Sequence, residues 1–240
     1  MANHFETIGL KVNSMEELED FYTQCTQFGK EIDTKSGKYF FWDMGSGAEL
    51  WGQLDFNNEI GINPHFSGTS AFNAVLEHEI KDEERPVMDG SLYCQSVDGA
   101  YPFAVDIPNL AVKDIEFPMT CRIQISAFAH TIELYDTEED YEKHNASSKP
   151  PLATEHFIPS GLFTKDGGTP TAHAIFGGYV KKAEKRKNPV TGLYFYYALV
   201  KTYGGEIDAV IAPDLIEDEN KLRENTVLAG TFWLSAKITD

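Results

Sequence analysis

The chain has 240 residues, 42% hydrophobic and 12% aromatic, enough for one large domain or two modest ones with real cores, which excludes a disordered chain. Its formal net charge of −18 lies in one part: residues 1–155 hold 28 acidic and 10 basic side chains, whereas residues 156–240 hold 10 of each. An acidic body repels phosphate backbones, which argues against general nucleic-acid binding, and it serves solubility.

Cys25, Cys94 and Cys121 are widely spaced, with no C-x-x-C pair, so neither a thiolate zinc knuckle nor a dithiol redox motif is expected. The opening MANHFETIGLKV lacks a basic stretch followed by an apolar run, and no apolar stretch approaches the length of a membrane span. The expectation is a cytoplasmic protein with neither signal peptide nor membrane contact.

In chain order, HFETIGLKV (4–12) alternates and predicts a strand. Ser14-Met15-Glu16-Glu17 is a capping box, and Leu18, Phe21, Tyr22 and Cys25 follow on one helix face. Gly29 is expected to close that helix in the left-handed region. Strands are predicted at 30–34, 38–44 and 48–55, separated by Gly37 and by Gly45-Ser46-Gly47, which makes a β-α-β-β-β module. Further strands are expected at 69–80, where a helix is the alternative, and at 91–97, 101–107 and 119–135, then a short helix from Thr137.

Residues 147–155 read as a linker, because Pro150-Pro151 and small polar residues sustain neither helix nor central strand. Beyond it, strands are predicted at 172–186, 193–203, 205–212 and 226–236, with a short acidic helix over 213–221. The expected organisation is an α+β, β-rich domain over 1–146 with a curved mixed or antiparallel sheet, and a small antiparallel β-barrel over 156–240. The expected cores are Phe5, Ile8, Leu18, Phe21, Phe41, Leu50, Ile123 and Ile125 in the first, and Ile175, Tyr179, Ala198, Val200, Val210 and Phe232 in the second.

The β-α-β-β-β module resembles half of a glyoxalase-like (vicinal oxygen chelate) protein. His4-Phe5 recurs as His65-Phe66, and Ala48-Glu49-Leu50-Trp51 is echoed by Ile132-Glu133-Leu134-Tyr135. The resemblance implies a second module from about residue 60. It also implies a divalent transition metal held by His4, Glu49, His65 and Glu133, acting as a Lewis acid on two substrate oxygens. The C-terminal part is similar to an OB-fold, which presents a strand face and loops to oligonucleotides or sugars. Lys182, Lys185, Arg186, Tyr194 and Tyr196 would form that ligand or nucleic-acid face, since aromatics stack bases and cations track phosphates.

The chain has no Walker A motif, G-x-G-x-x-G, G-x-S-x-G or H-E-x-x-H, and spacing singles out no Ser/His/Asp or Cys/His set. The leading expectation is a non-catalytic binding or accessory protein for a protein or small-ligand partner, with a homodimer compatible with the sequence. The rivals are a metal-dependent enzyme of the glyoxalase kind and single-strand binding through the C-terminal barrel.

Overall fold

The computed structural model describes residues 4–81, 88–147, 151–162 and 170–239. Among these residues are thirteen strands and two α-helices. No helix among them is long and apolar enough to cross a membrane.

The first predicted strand does not form. Residues Glu6–Ile8 make a 3₁₀ turn closed by Gly9 at φ 75°. Side chains take the carbonyls that a ladder would have used: Asn188 Nδ2 donates to Ile8 O (3.0 Å) and Thr191 Oγ1 to Gly9 O (2.6 Å). The alternation came from Ile8 and Leu10, both fully buried beneath this docked segment.

Helix α1 (Met15–Phe28) follows, with the Ser14 hydroxyl accepting from the Glu17 amide at 3.2 Å. Glu17 reaches back one residue further than expected, accepting from the Asn13 amide at 2.6 Å. Gly29 is extended, at φ −79°, rather than left-handed. A glycine fits there because a Cβ would lie 2.4 Å from the Cys25 carbonyl oxygen and 3.1 Å from that of Phe41.

Strands β1 (Lys30–Asp33), β2 (Gly37–Gly45), β3 (Ala48–Asp55) and β4 (Ile60–Phe66) form an antiparallel sheet in chain order. β4 was not expected, because Asn63-Pro64 reads as a turn. It is an edge strand bonded only to β3, where the missing proline N–H is tolerated. The module is therefore helix followed by four strands.

The second sheet contains β5 (Phe72–Ile80), β6 (Gly90–Ser96), β7 (Pro102–Ile107) and β8 (Met119–Tyr135). After α2 (Glu138–Asn145) come β9 (His156–Pro159), β10 (His173–Lys187), β11 (Tyr194–Thr202), β12 (Gly205–Ile211) and β13 (Val227–Ile238). The acidic helix expected over 213–221 is instead two 3₁₀ turns, Pro213–Leu215 and Glu219–Lys221.

Strand pairing closes two five-membered rings that share one ladder. One ring is β8-β5-β6-β7-β13, the other β13-β10-β11-β12-β8, and the antiparallel β8–β13 ladder belongs to both. Each half is a three-strand meander, a 3₁₀ segment and a long strand; that segment is Leu110–Val112 in the first half and the pair Pro213–Leu215 and Glu219–Lys221 in the second. The halves interlock reciprocally. Ser126 faces Ser235 across the shared ladder, Asp208 of β12 runs parallel beside Ser126, and Asp106 of β7 runs parallel beside Ser235. The topological repeat is thus 72–135 with 173–238, not the register of the His-Phe echo.

The expected linker, 147–155, lies in part (148–150) outside the described residues, and strands on its two sides share this sheet. β8, ahead of it, is bonded to β12 and β13 behind it. One hydrophobic cluster unites Phe72, Phe103, Ile123 and Ile125 with Phe176, Val200 and Phe232. A second cluster packs Ile8, Cys25, Leu50 and Phe66 against Phe128, Phe195, Tyr197 and Trp233, seating the small sheet on the outer face of the large one. Of the expected core residues, Phe5, Leu18, Phe21, Phe41 and Tyr179 are half-buried, and Ile175 is 42% exposed. Along AHAIFGG both strand faces carry apolar residues, and Ala174 and Phe176 are the ones that point inward.

Candidate functional site: an aromatic cleft beside a buried polar seam

The four residues implied as metal ligands take separate partners. Glu49 and His65 face each other across the β3–β4 ladder. However, the Lys237 ammonium donates to both Glu49 oxygens, at 2.7 and 2.5 Å, and Trp51 Nε1 donates to the same carboxylate at 3.3 Å. His4 lies on the Trp233 ring, with centroids 4.3 Å apart and planes 4° from parallel. Glu133 accepts from the Tyr135 hydroxyl and lies 3.8 Å from His144 Nε2. Among the described residues, no three His, Cys, Asp or Glu side chains are placed to hold a metal ion together. The donor set therefore does not fit the metal that the resemblance implies: an ammonium holds Glu49, and His4 and Glu133 are engaged elsewhere.

His65 belongs to a polar seam where the two rings meet. Its Nδ1 lies 2.8 Å from Ser235 Oγ and its Nε2 3.2 Å from Gln124 Oε1. The Gln124 amide donates to Ser126 Oγ (2.9 Å) and to Asp208 Oδ2 (2.8 Å), so Gln124 presents its oxygen to His65. That leaves the proton on His65 Nε2, with Nδ1 accepting from Ser235. Burial, with the Lys237 charge nearby, holds His65 well below its ordinary pKa, so the ring is neutral. Asp208 also accepts from the amides of Thr69 (3.1 Å) and Ser70 (2.8 Å) and from the Tyr197 hydroxyl (2.9 Å). Burial beside this carboxylate pushes the Tyr197 phenol up to about 12.

Ser235–His65–Gln124–Asp208 is a nucleophile–base–orienter constellation that no spacing rule could have picked, since its members lie on β13, β4, β8 and β12. Ser235 lines a slot of about 20 Å³, room for one water and not for an acyl substrate. The seam reads as a lock between the small sheet and the shared ladder.

The larger opening is a cleft of about 390 Å³ between the N-terminal segment, β10, β11 and the 3₁₀ turn after β12. Its walls include Leu10, Lys11, Lys185, Leu193, Tyr194 and Tyr196. Tyr194 and Tyr196 are two apart on β11 and share a face. Tyr194 is 50% exposed and Tyr196 is buried. Lys185 Nζ stands 5.6 and 5.3 Å from their ring centroids, within cation–π range. Glu219 Oε2 accepts from Lys185 Nζ (2.7 Å) and from the Tyr196 hydroxyl (2.5 Å), and the Glu219 bond raises the Lys185 pKa.

Three of the five residues expected on the ligand face, Lys185, Tyr194 and Tyr196, thus meet in the cleft. The other two do not. Lys182 pairs with Glu184 at 2.6 Å. Arg186 binds Glu184 and the Ser46 carbonyl, and lies 4.2 Å from the Tyr197 ring, toward the small sheet. Lys182, Lys185 and Arg186 each have a carboxylate partner, and Lys187 Nζ stands 5.7 Å from the Tyr194 ring centroid. Leu10 and Lys11 escaped the sequence reading because they reach the cleft only by tertiary docking.

Comparison of the chain with protein-family models, with curated proteins and with solved structures finds no match.

Proposed function

We propose that this is a non-catalytic binding protein whose cleft takes a small organic ligand bearing a planar ring and an anionic group. The observation that carries the reading is the half-exposed Tyr194 ring beside the Lys185 ammonium in a cleft of about 390 Å³. Ligand pockets of roughly 300–1,000 Å³ combine apolar and aromatic walls with a few polar groups. A planar ring stacks on Tyr194, and an anion at Lys185 competes with Glu219.

The ring β10-β11-β12-β8-β13 supports an OB-type reading of the C-terminal part, with one strand supplied from ahead of the linker; such barrels bind ligands on a strand face. The carboxylate partners of Lys182, Lys185 and Arg186, with the chain's charge of −18, favour a small ligand over a nucleic acid.

Ligand-observed NMR with a panel of aromatic carboxylates tests this. At least one is expected to bind, at least tenfold more weakly to Tyr194→Ala and to Lys185→Gln. Binding that ignores both substitutions, or no binding across the panel, overturns the reading. A salt-sensitive titration with a single-stranded oligonucleotide would replace it with strand binding.

A further inference from the structure

Three of the seven histidines, distant in the chain, meet on the outer face of the β8–β13–β10 ladder. His130 comes from β8, His173 from β10, and His4 from the N-terminal segment. Trp233 of β13, opposite His173 in register, lies under the His4 ring. His4 Nε2 and His130 Nε2 are 2.7 Å apart, so two imidazole nitrogens point at one another. The His130 and His173 rings stand edge to face, with centroids 5.4 Å apart. Phe128 packs against Trp233 (4.8 Å between centroids), which gives the cluster an apolar floor.

A hydrogen bond between two neutral imidazoles uses one proton; when the donor ring takes the tautomer that carries this proton on Nδ1, both Nε2 atoms present a lone pair to a metal ion. Burial and the neighbouring imidazoles hold His4 down to about 4, and the same causes lower His130, so both are neutral near pH 7. Metal–imidazole bonds of about 2.0–2.1 Å place adjacent ligand nitrogens about 3.0–3.4 Å apart, so the pair has to spread by only about 0.3–0.7 Å. As placed, His173 does not converge with the other two. Its ring is on an exposed residue and holds Thr171 Oγ1 through Nδ1 at 3.2 Å. To serve as the third ligand, His173 has to give up Thr171 and turn its ring toward the pair.

We propose that His4, His130 and His173 form a three-histidine binding site for a divalent transition ion of the zinc or nickel kind. Imidazole nitrogen suits these ions, and water would fill the remaining position. This set shares only His4 with the one implied by the glyoxalase resemblance, and none of its members lines the cleft.

The test is calorimetric titration of the untagged full chain with zinc chloride and with nickel chloride at pH 7.5. One equivalent is expected for at least one ion. His130→Gln and His173→Gln should each weaken binding at least tenfold, while His78→Gln, at an exposed histidine elsewhere, leaves it unchanged. Because His173 is exposed, its variant is expected to keep the parent's thermal unfolding, so its loss of binding counts. No saturable binding of either ion, binding that survives both substitutions, or equal weakening by His78→Gln overturns the site.

Discussion

The Lys237 ammonium reaches Glu49 from 188 residues away in the chain, and Glu49 is only 4% exposed. A carboxylate so placed, stripped of its cation, is left charged in a poor solvent. Lys237→Met is therefore expected to cost about 3–5 kcal/mol in urea unfolding, whereas the double variant Lys237→Met, Glu49→Leu regains most of that loss. A double variant no more stable than the single would mean the pair is not the source. Asp208 poses the opposite case, one acceptor for many donors. Asp208→Ala strands the Thr69 and Ser70 amides, the Tyr197 hydroxyl and the Gln124 amide; at about 1–3 kcal/mol per buried orphan it should lower stability by at least about 4 kcal/mol. The sequence reading picked out Glu49 and His65 as groups that need partners, and the structure supplies Lys237 to one and Ser235 with Gln124 to the other. Residue type marks a group that needs a partner, whereas the partner here arrives from β8 or β13, and no local spacing reveals that a lysine or a glutamine will arrive rather than a metal.

At the scale of elements, local chemistry carried more. Glycine turns delimit β2 and β3, and the long alternation of 119–135 became β8 without change of bounds. The capping serine marks the start of α1, and Ser14→Ala is expected to cost about 1 kcal/mol by the same unfolding measurement. Gly29→Ala should cost more than Ser14→Ala, because the new methyl meets two backbone carbonyls rather than a movable side chain. The misread elements share a cause. The N-terminal segment and β4 are defined by what they dock against: residues 4–12 alternate like a strand because Ile8 and Leu10 are covered, and β4 tolerates Pro64 because it is an edge. On β11, Phe195 and Tyr197 pack toward the small sheet while Tyr194 and Tyr196 line the cleft.

Across the whole molecule, His4, His65, His130 and His156 are all held below the ordinary histidine value, mainly by burial. The unfolded chain then binds more protons than the folded one wherever pH lies between the folded and unfolded values. Stability should be full above about pH 6.5 and fall as the pH drops, each histidine adding at most about 1.4 kcal/mol per pH unit; for His4 the loss continues to about pH 4. Urea midpoints at pH 7.5 and 5.0 check this, and equal midpoints would contradict it. The shared β8–β13 ladder has a consequence during synthesis. The β13 edge of β8 from Ile123 to Tyr135 has no partner until the chain reaches residues 227–238, about a hundred residues later. At roughly 5–20 residues per second, the nascent first half waits about 5–20 s with that edge bare, the interval in which neighbouring polypeptides on a polysome could pair with it. The surplus of 18 negative charges lies in residues 1–155, the part already made, where mutual repulsion keeps nascent chains apart until the last strand arrives.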